Sequence, residues 1–166
     1  MPTLAIFGIS ILMCFVAFGL FSAVHLWPWL RARPSADALR ILLVPHTFRF
    51  VGMSFLVPGV VGPSVPSAFA VPAAYGDLIA CGLAIASTVA LSSQASWALG
   101  LVWVFNIWGT CDLLLAFYHG LTTGLDAGTL GAAFYIPTAI VPALLVLHVL
   151  IFRVLLAPRR RAEAAG

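Results

Sequence analysis

Four histidines, one arginine and one aspartate carry most of the chemistry this chain offers: His25, His46, His119, His148, Arg49 and Asp112. His46 and Arg49 lie three residues apart in the stretch PHTFRF, inside an apolar run that begins ALRILLV and resumes VGMSFLV. On a helix that spacing makes them neighbours on one face. Pro45 precedes them; it has no N–H to donate and clashes one turn back, which predicts a kink and a freed carbonyl at Ile41.

Imidazoles ligate haem iron or metal ions, and a guanidinium neutralises a propionate, a lipid phosphate or a substrate carboxylate. His46 and His148 therefore read as the axial pair of a b-type haem, with Arg49 at a propionate and Phe48 and Phe50 lining the ring pocket. His25, His46 and His148 read equally as a three-histidine metal site. Intramembrane Asp, His and Arg also mark proton and solute paths. Asp112 and His119 share a face by their seven-residue spacing, and with His46, Arg49 and His148 they make two halves of a relay. Asn106 lies near the middle of the same span as Asp112, on another face. Each residue also has a plainer role: hydrogen-bonded packing for the histidines, an ion pair with Asp112 for Arg49. The sequence holds no GxSxG, HExxH or P-loop motif to suggest a hydrolase or a nucleotide site.

The elements that position these residues follow from composition. Of 166 residues, 63% are hydrophobic and 8% charged. The mean hydropathy is +1.12, far outside the soluble range. A bilayer core takes about 20 apolar residues per helix, and five such spans emerge, at about 4–27, 36–57, 77–93, 96–119 and 131–156. The N-terminal run has no basic n-region and is too long for a signal-peptide core, so it reads as the first span. The proline-rich segment 58–77 is apolar but cannot be a regular helix by this reading, so it lies at the interface or folds back on protein. Ala80 and Ala84, and Gly82, Ala86 and Ala90, form small-residue rows that let helices approach closely. Cys14, Cys81 and Cys111 form no CxxC pair and read as small buried hydrophobes. Asp77 and Asp126 fall at predicted span boundaries, as solvated caps or loop residues.

All eight basic residues are arginines. Arg31, Arg33 and Arg40 flank the first loop, and Arg153, Arg159, Arg160 and Arg161 close the chain. They act as topology signals, so nucleic acid is not an expected partner. Five spans put both clusters on one side, with the N-terminus outside and the C-terminus cytoplasmic. At a rise of about 1.5 Å per residue, Arg49 lies about 15 Å above the inner edge of its span, His46 about 10 Å, His148 about 13 Å, His25 about 7 Å and Asp112 about 22 Å.

The sequence thus predicts an all-α, five-transmembrane-helix bundle in a bacterial-type inner membrane. It would be surrounded by lipid, alone, as a homo-oligomer or as a subunit of a membrane complex. Three functions fit: binding of a ligand or cofactor within the bundle (haem b among them), transport of a small solute or protons, and a non-catalytic membrane subunit.

Overall fold

The computed structural model describes residues 1–157; the basic tail, 158–166, lies outside the described residues. The described chain is all-helical, and five helices are long and apolar enough to cross a membrane. They are α1 (Thr3–Arg31), α2 (Ser35–Leu56), α3 (Ser67–Ser92), α4 (Ala98–Thr122) and α5 (Ile136–Leu156).

α3 is the central helix and packs most extensively against α2 and α4. Its small residues explain this. Ala73, Ala74, Ala80 and Ala84 are buried, and small side chains let backbones approach closely. Of the two small-residue rows, Ala80 and Ala84 face the bundle, whereas Gly82 and Ala86 face outward and only Ala90 of their row is buried. Cys111 is exposed and Cys14 half-buried, so of the three cysteines only Cys81 is a buried hydrophobe.

α3 starts at Ser67, not at 77, which corrects the boundary set by the prolines. Pro66 precedes the first turn, and Pro72 lies inside the helix. Proline there removes one backbone hydrogen bond, a defect that membrane helices tolerate where neighbours satisfy the freed group. Only the remainder of the proline-rich segment is irregular. It folds back onto the kinked 3-10 segment Ala127–Phe134 before α5, where Gly62 N donates to Thr129 O at 2.7 Å and Ala132 N to Val60 O at 3.1 Å. Gly131 sits at this crossing with φ +52°, and a Cβ there would collide with the carbonyl oxygen of Val60. Both the left-handed backbone and the close approach call for glycine.

α2 changes its winding at Val44. From Val44 to Leu56 it is a 3-10 helix of 13 residues, whereas most such runs stop at three or four. The buried residues of this half are His46, Arg49, Gly52 and Phe55, each three after the last. Three residues per turn stack them along one line. In an α-helix each step of three would rotate the side chain back by about 60°, turning Phe55 away from His46. The winding therefore builds the polar face of α2.

α1 is peripheral. No residue of Thr3–Phe21 is buried, and its main contacts are with α5 and the segment before it. Phe7 meets Phe134 edge to face at 5.7 Å. At its far end Arg153 of α5 lies over the Trp27 ring at 4.0 Å, and Arg33 over Trp29 at 3.7 Å. The ends of α1 and α5 thus share one pole of the bundle, beside Arg40 at the start of α2.

Candidate functional site

The stacked face of α2 points Arg49 into the bundle, where its side chain is fully buried. Nε donates to Oδ1 of Asp77 on α3 at 2.7 Å, and Nη2 to Oδ2 of Asp112 on α4 at 2.5 Å. Nη1 donates to the carbonyl of Gly109 at 3.2 Å and reaches Nε2 of His148 on α5 at 3.4 Å. One guanidinium therefore ties together four helices. Its rigid fork of five donors suits this task better than a lysine would.

His148 is held on its other side by Asn106. Its Nδ1 lies 2.7 Å from Asn106 Oδ1, and Asn106 Nδ2 donates to the His148 carbonyl at 3.3 Å. A guanidinium only donates, so Nε2 must accept and Nδ1 carries the ring proton. His46 stacks behind, its ring centroid 4.3 Å from that of His148 and 5.1 Å from Phe105. It is fully buried, and among the described residues neither of its ring nitrogens has a hydrogen-bond partner.

Three glycines make the room. A Cβ on Gly52 would strike the Asp77 carboxylate, and one on Gly76 the Asp112 carboxylate. One on Gly109 would come within 2.6 Å of His148 Cε1 and 2.8 Å of Arg49 Nη1. Each of α2, α3 and α4 thus contributes a bare backbone patch for a charged side chain of a neighbour.

The cluster has an open side. Because α1 leans on α5, a groove of about 700 Å³ runs between α1 and the α3–α4–α5 face. Leu4, Phe7, Ile11 and Phe15 line one wall and Phe69, Leu113 and Phe117 the other; among the described residues its polar side chains are Asp77 and Asp112. Arg49, His148 and His46 lie behind these two carboxylates. Oδ2 of Asp77 and Oδ1 of Asp112 receive no hydrogen bond from the described residues. One positive and two negative groups leave the cluster a formal charge of −1.

The structure brings Arg49, Asp112, His46, His148 and Asn106 into one cluster and leaves His25 and His119 outside it. His25 is exposed, its ring against Phe21. His119 lies in the last turn of α4 against Tyr118. The three-histidine site is not formed, and among the described residues no group of three or more His, Cys, Asp or Glu could hold a metal ion. Two imidazoles sharing a haem iron hold the macrocycle between them, and rings 4.3 Å apart leave no room for it. Phe48 and Phe50 are exposed, away from the cluster. Asn106, read as pointing elsewhere, is the partner that orients His148.

Asp77 is the residue sequence reasoning misplaced. It is buried in the middle of α3 and bonded to Arg49, not a boundary cap. A proline boundary at 72 put the start of the span at Asp77 itself. The 3-10 winding also alters the depths. At about 2.0 Å per residue from Val44 on, Arg49 lies about 18 Å above the inner edge, closer to the level of Asp112 than the uniform α-helical rise gave.

Comparison with curated proteins and with solved structures finds no match. One family model matches, over residues 6–156, and its description is a domain of unknown function, DUF8737.

Proposed function

We propose that this chain, which belongs to the DUF8737 family, is a membrane protein that binds a cationic amphiphile in the groove beside α1. The observation that carries the proposal is the pairing of an apolar groove with a polar end made only of Asp77 and Asp112. An alkyl chain matches the walls, and a single positive head matches two carboxylates that share one guanidinium. Arg49 is not the grip for an anion, because its donors are already directed at Asp77, Asp112 and Gly109.

The ligand reaches the site from the bilayer, since the groove lies along a predominantly apolar helix with no buried residue from Thr3 to Phe21. The protein resides in a bacterial-type inner membrane with its N-terminus outside and C-terminus cytoplasmic. The clustering of Arg33, Arg40 and Arg153 at one pole supports that orientation through the positive-inside rule.

The test is electron paramagnetic resonance of a spin-labelled alkyltrimethylammonium in nanodiscs. Bound label is immobilised, and label dispersed in lipid is not. Wild type should show an immobilised component that unlabelled alkyltrimethylammonium displaces. Gly8→Phe should remove it, because Gly8 lines the groove and a Cβ there meets nothing within 4 Å, so the variant fills the groove without a clash. An identical immobilised component in Gly8→Phe would overturn the assignment.

A further inference from the structure

The titratable and charged groups that face one another are Arg49 and His46 from α2, Asp77 from α3, Asp112 from α4 and His148 from α5. α1 contributes only apolar side chains to the groove wall. Of these groups, His148 is held as a neutral acceptor by Arg49 and Asn106, and His46 touches neither carboxylate. That leaves two carboxylates, both side chains about nine-tenths buried, against one guanidinium. An unbalanced negative charge in a membrane interior is strongly unfavourable.

We infer that the site is a proton–cation exchange site: the empty protein holds one proton on the Asp77–Asp112 pair, and a cationic head from the groove displaces it. This inference rests on the amphiphile reading above. The step balances without any further reactant. The carboxylic acid O–H bond breaks, the proton leaves to water, and the carboxylate so formed is neutralised by the arriving cation. The charge of the cluster together with its occupant is zero before and after.

The geometry suits exchange. Each carboxylate keeps one oxygen on Arg49, while Asp77 Oδ2 and Asp112 Oδ1 receive no donor among the described residues and so can carry the proton. Arg49 is fixed by partners on α3, α4 and α5, so it holds both carboxylates in place whichever of the two forms is present. The exchange couples occupancy to pH: acid favours the empty site and alkali the loaded one. A neutral amphiphile with the same chain has no charge to exchange and should release no proton.

The experiment uses the full chain in nanodiscs in weak buffer with a soluble pH indicator. Dodecyltrimethylammonium and 1-dodecanol are the probes. Empty nanodiscs give the background. The cation should release protons, approaching one per bound molecule as the pH is lowered from neutral, and the alcohol none. Difference infrared spectroscopy of the same wild-type sample should show a protonated carboxylic acid band that vanishes on addition of the cation, so the result does not depend on any variant folding. Asp112→Asn and Asp77→Asn should each abolish the release. Cation binding with no proton release and no change in the acid band would overturn the exchange and leave the groove reading standing. Absence of binding by the cation would overturn both.

Discussion

Removing the guanidinium of Arg49 by Arg49→Met tests the architecture of the cluster. The substitution leaves Asp77 and Asp112, which share a proton when no cation is bound, buried side by side without the guanidinium that holds both. Removing one partner of a buried ion pair costs about 3–5 kcal/mol. Arg49 serves two carboxylates, at 2.7 and 2.5 Å, so the cost belongs at the upper end, about 5 kcal/mol or more than three powers of ten in the folding constant. Adding Asp112→Leu removes one stranded carboxylate and should recover roughly half of that loss. Adding Asp77→Leu as well leaves an apolar core of similar shape, and such replacements are often neutral or stabilising, so the triple variant should lie within about 2 kcal/mol of wild type. Reversible unfolding by sodium dodecyl sulfate in mixed micelles, followed by tryptophan fluorescence, measures each step. If the double variant is already as stable as the triple, Asp77 is not a partner of Arg49. If Arg49→Met alone is harmless, the cluster is not desolvated and Arg49 does not hold the two carboxylates in a dry core.

Other outcomes follow from the same geometry. Gly52→Ala, Gly76→Ala and Gly109→Ala should each lose at least about 1–3 kcal/mol in the same unfolding assay, because the new methyl group meets a fixed side chain. Gly82→Ala, which meets nothing within 4 Å, should be neutral or gain up to about 1 kcal/mol from helix propensity. Asn106→Leu strands the Nδ1–H of His148 and should cost about 1–3 kcal/mol. His46→Leu should instead stabilise the fold, because it removes two buried ring nitrogens that have no partner among the described residues; a loss of stability would mean that His46 bonds something in the membrane. In a background without native cysteines, Thr122→Cys should label from the outside and Ala32→Cys only from the cytoplasmic side; the reverse pattern would invert the orientation.

The five helices were legible in the sequence because hydropathy and length leave few alternatives once charges are scarce. Depth arithmetic also put Arg49 and Asp112 within reach of each other, and the structure bonds them. What escaped did so for identifiable reasons. Asp77 was lost because Pro72 read as a boundary, although a membrane helix carries it inside. The 3-10 winding escaped because three-residue spacing was read with α-helical geometry, yet the series His46, Arg49, Gly52, Phe55 is visible as a strict repeat directly after Pro45. Gly52, Gly76 and Gly109 looked like ordinary small residues, since what makes them special is a side chain on another helix. The pairing of Asn106 with His148 needs the contact between α4 and α5, which no spacing within either helix reveals. The groove depends on how α1 leans away from α3 and α4, and that too is a tertiary fact.

If the groove between α1 and α4 takes a cationic amphiphile by its head at Asp77 and Asp112, a photoreactive group in the alkyl chain should mark the groove walls. Photolabelling with an alkyltrimethylammonium that carries a diazirine in its chain, followed by mass-spectrometric mapping, tests this most directly. Adducts should concentrate on Phe7 to Phe15 of α1 and Leu113 to Leu121 of α4, suppressed by excess unlabelled cation and unaffected by the alcohol of equal chain length. Adducts spread evenly over the outward faces of all five helices, or suppressed equally by the alcohol, would contradict it.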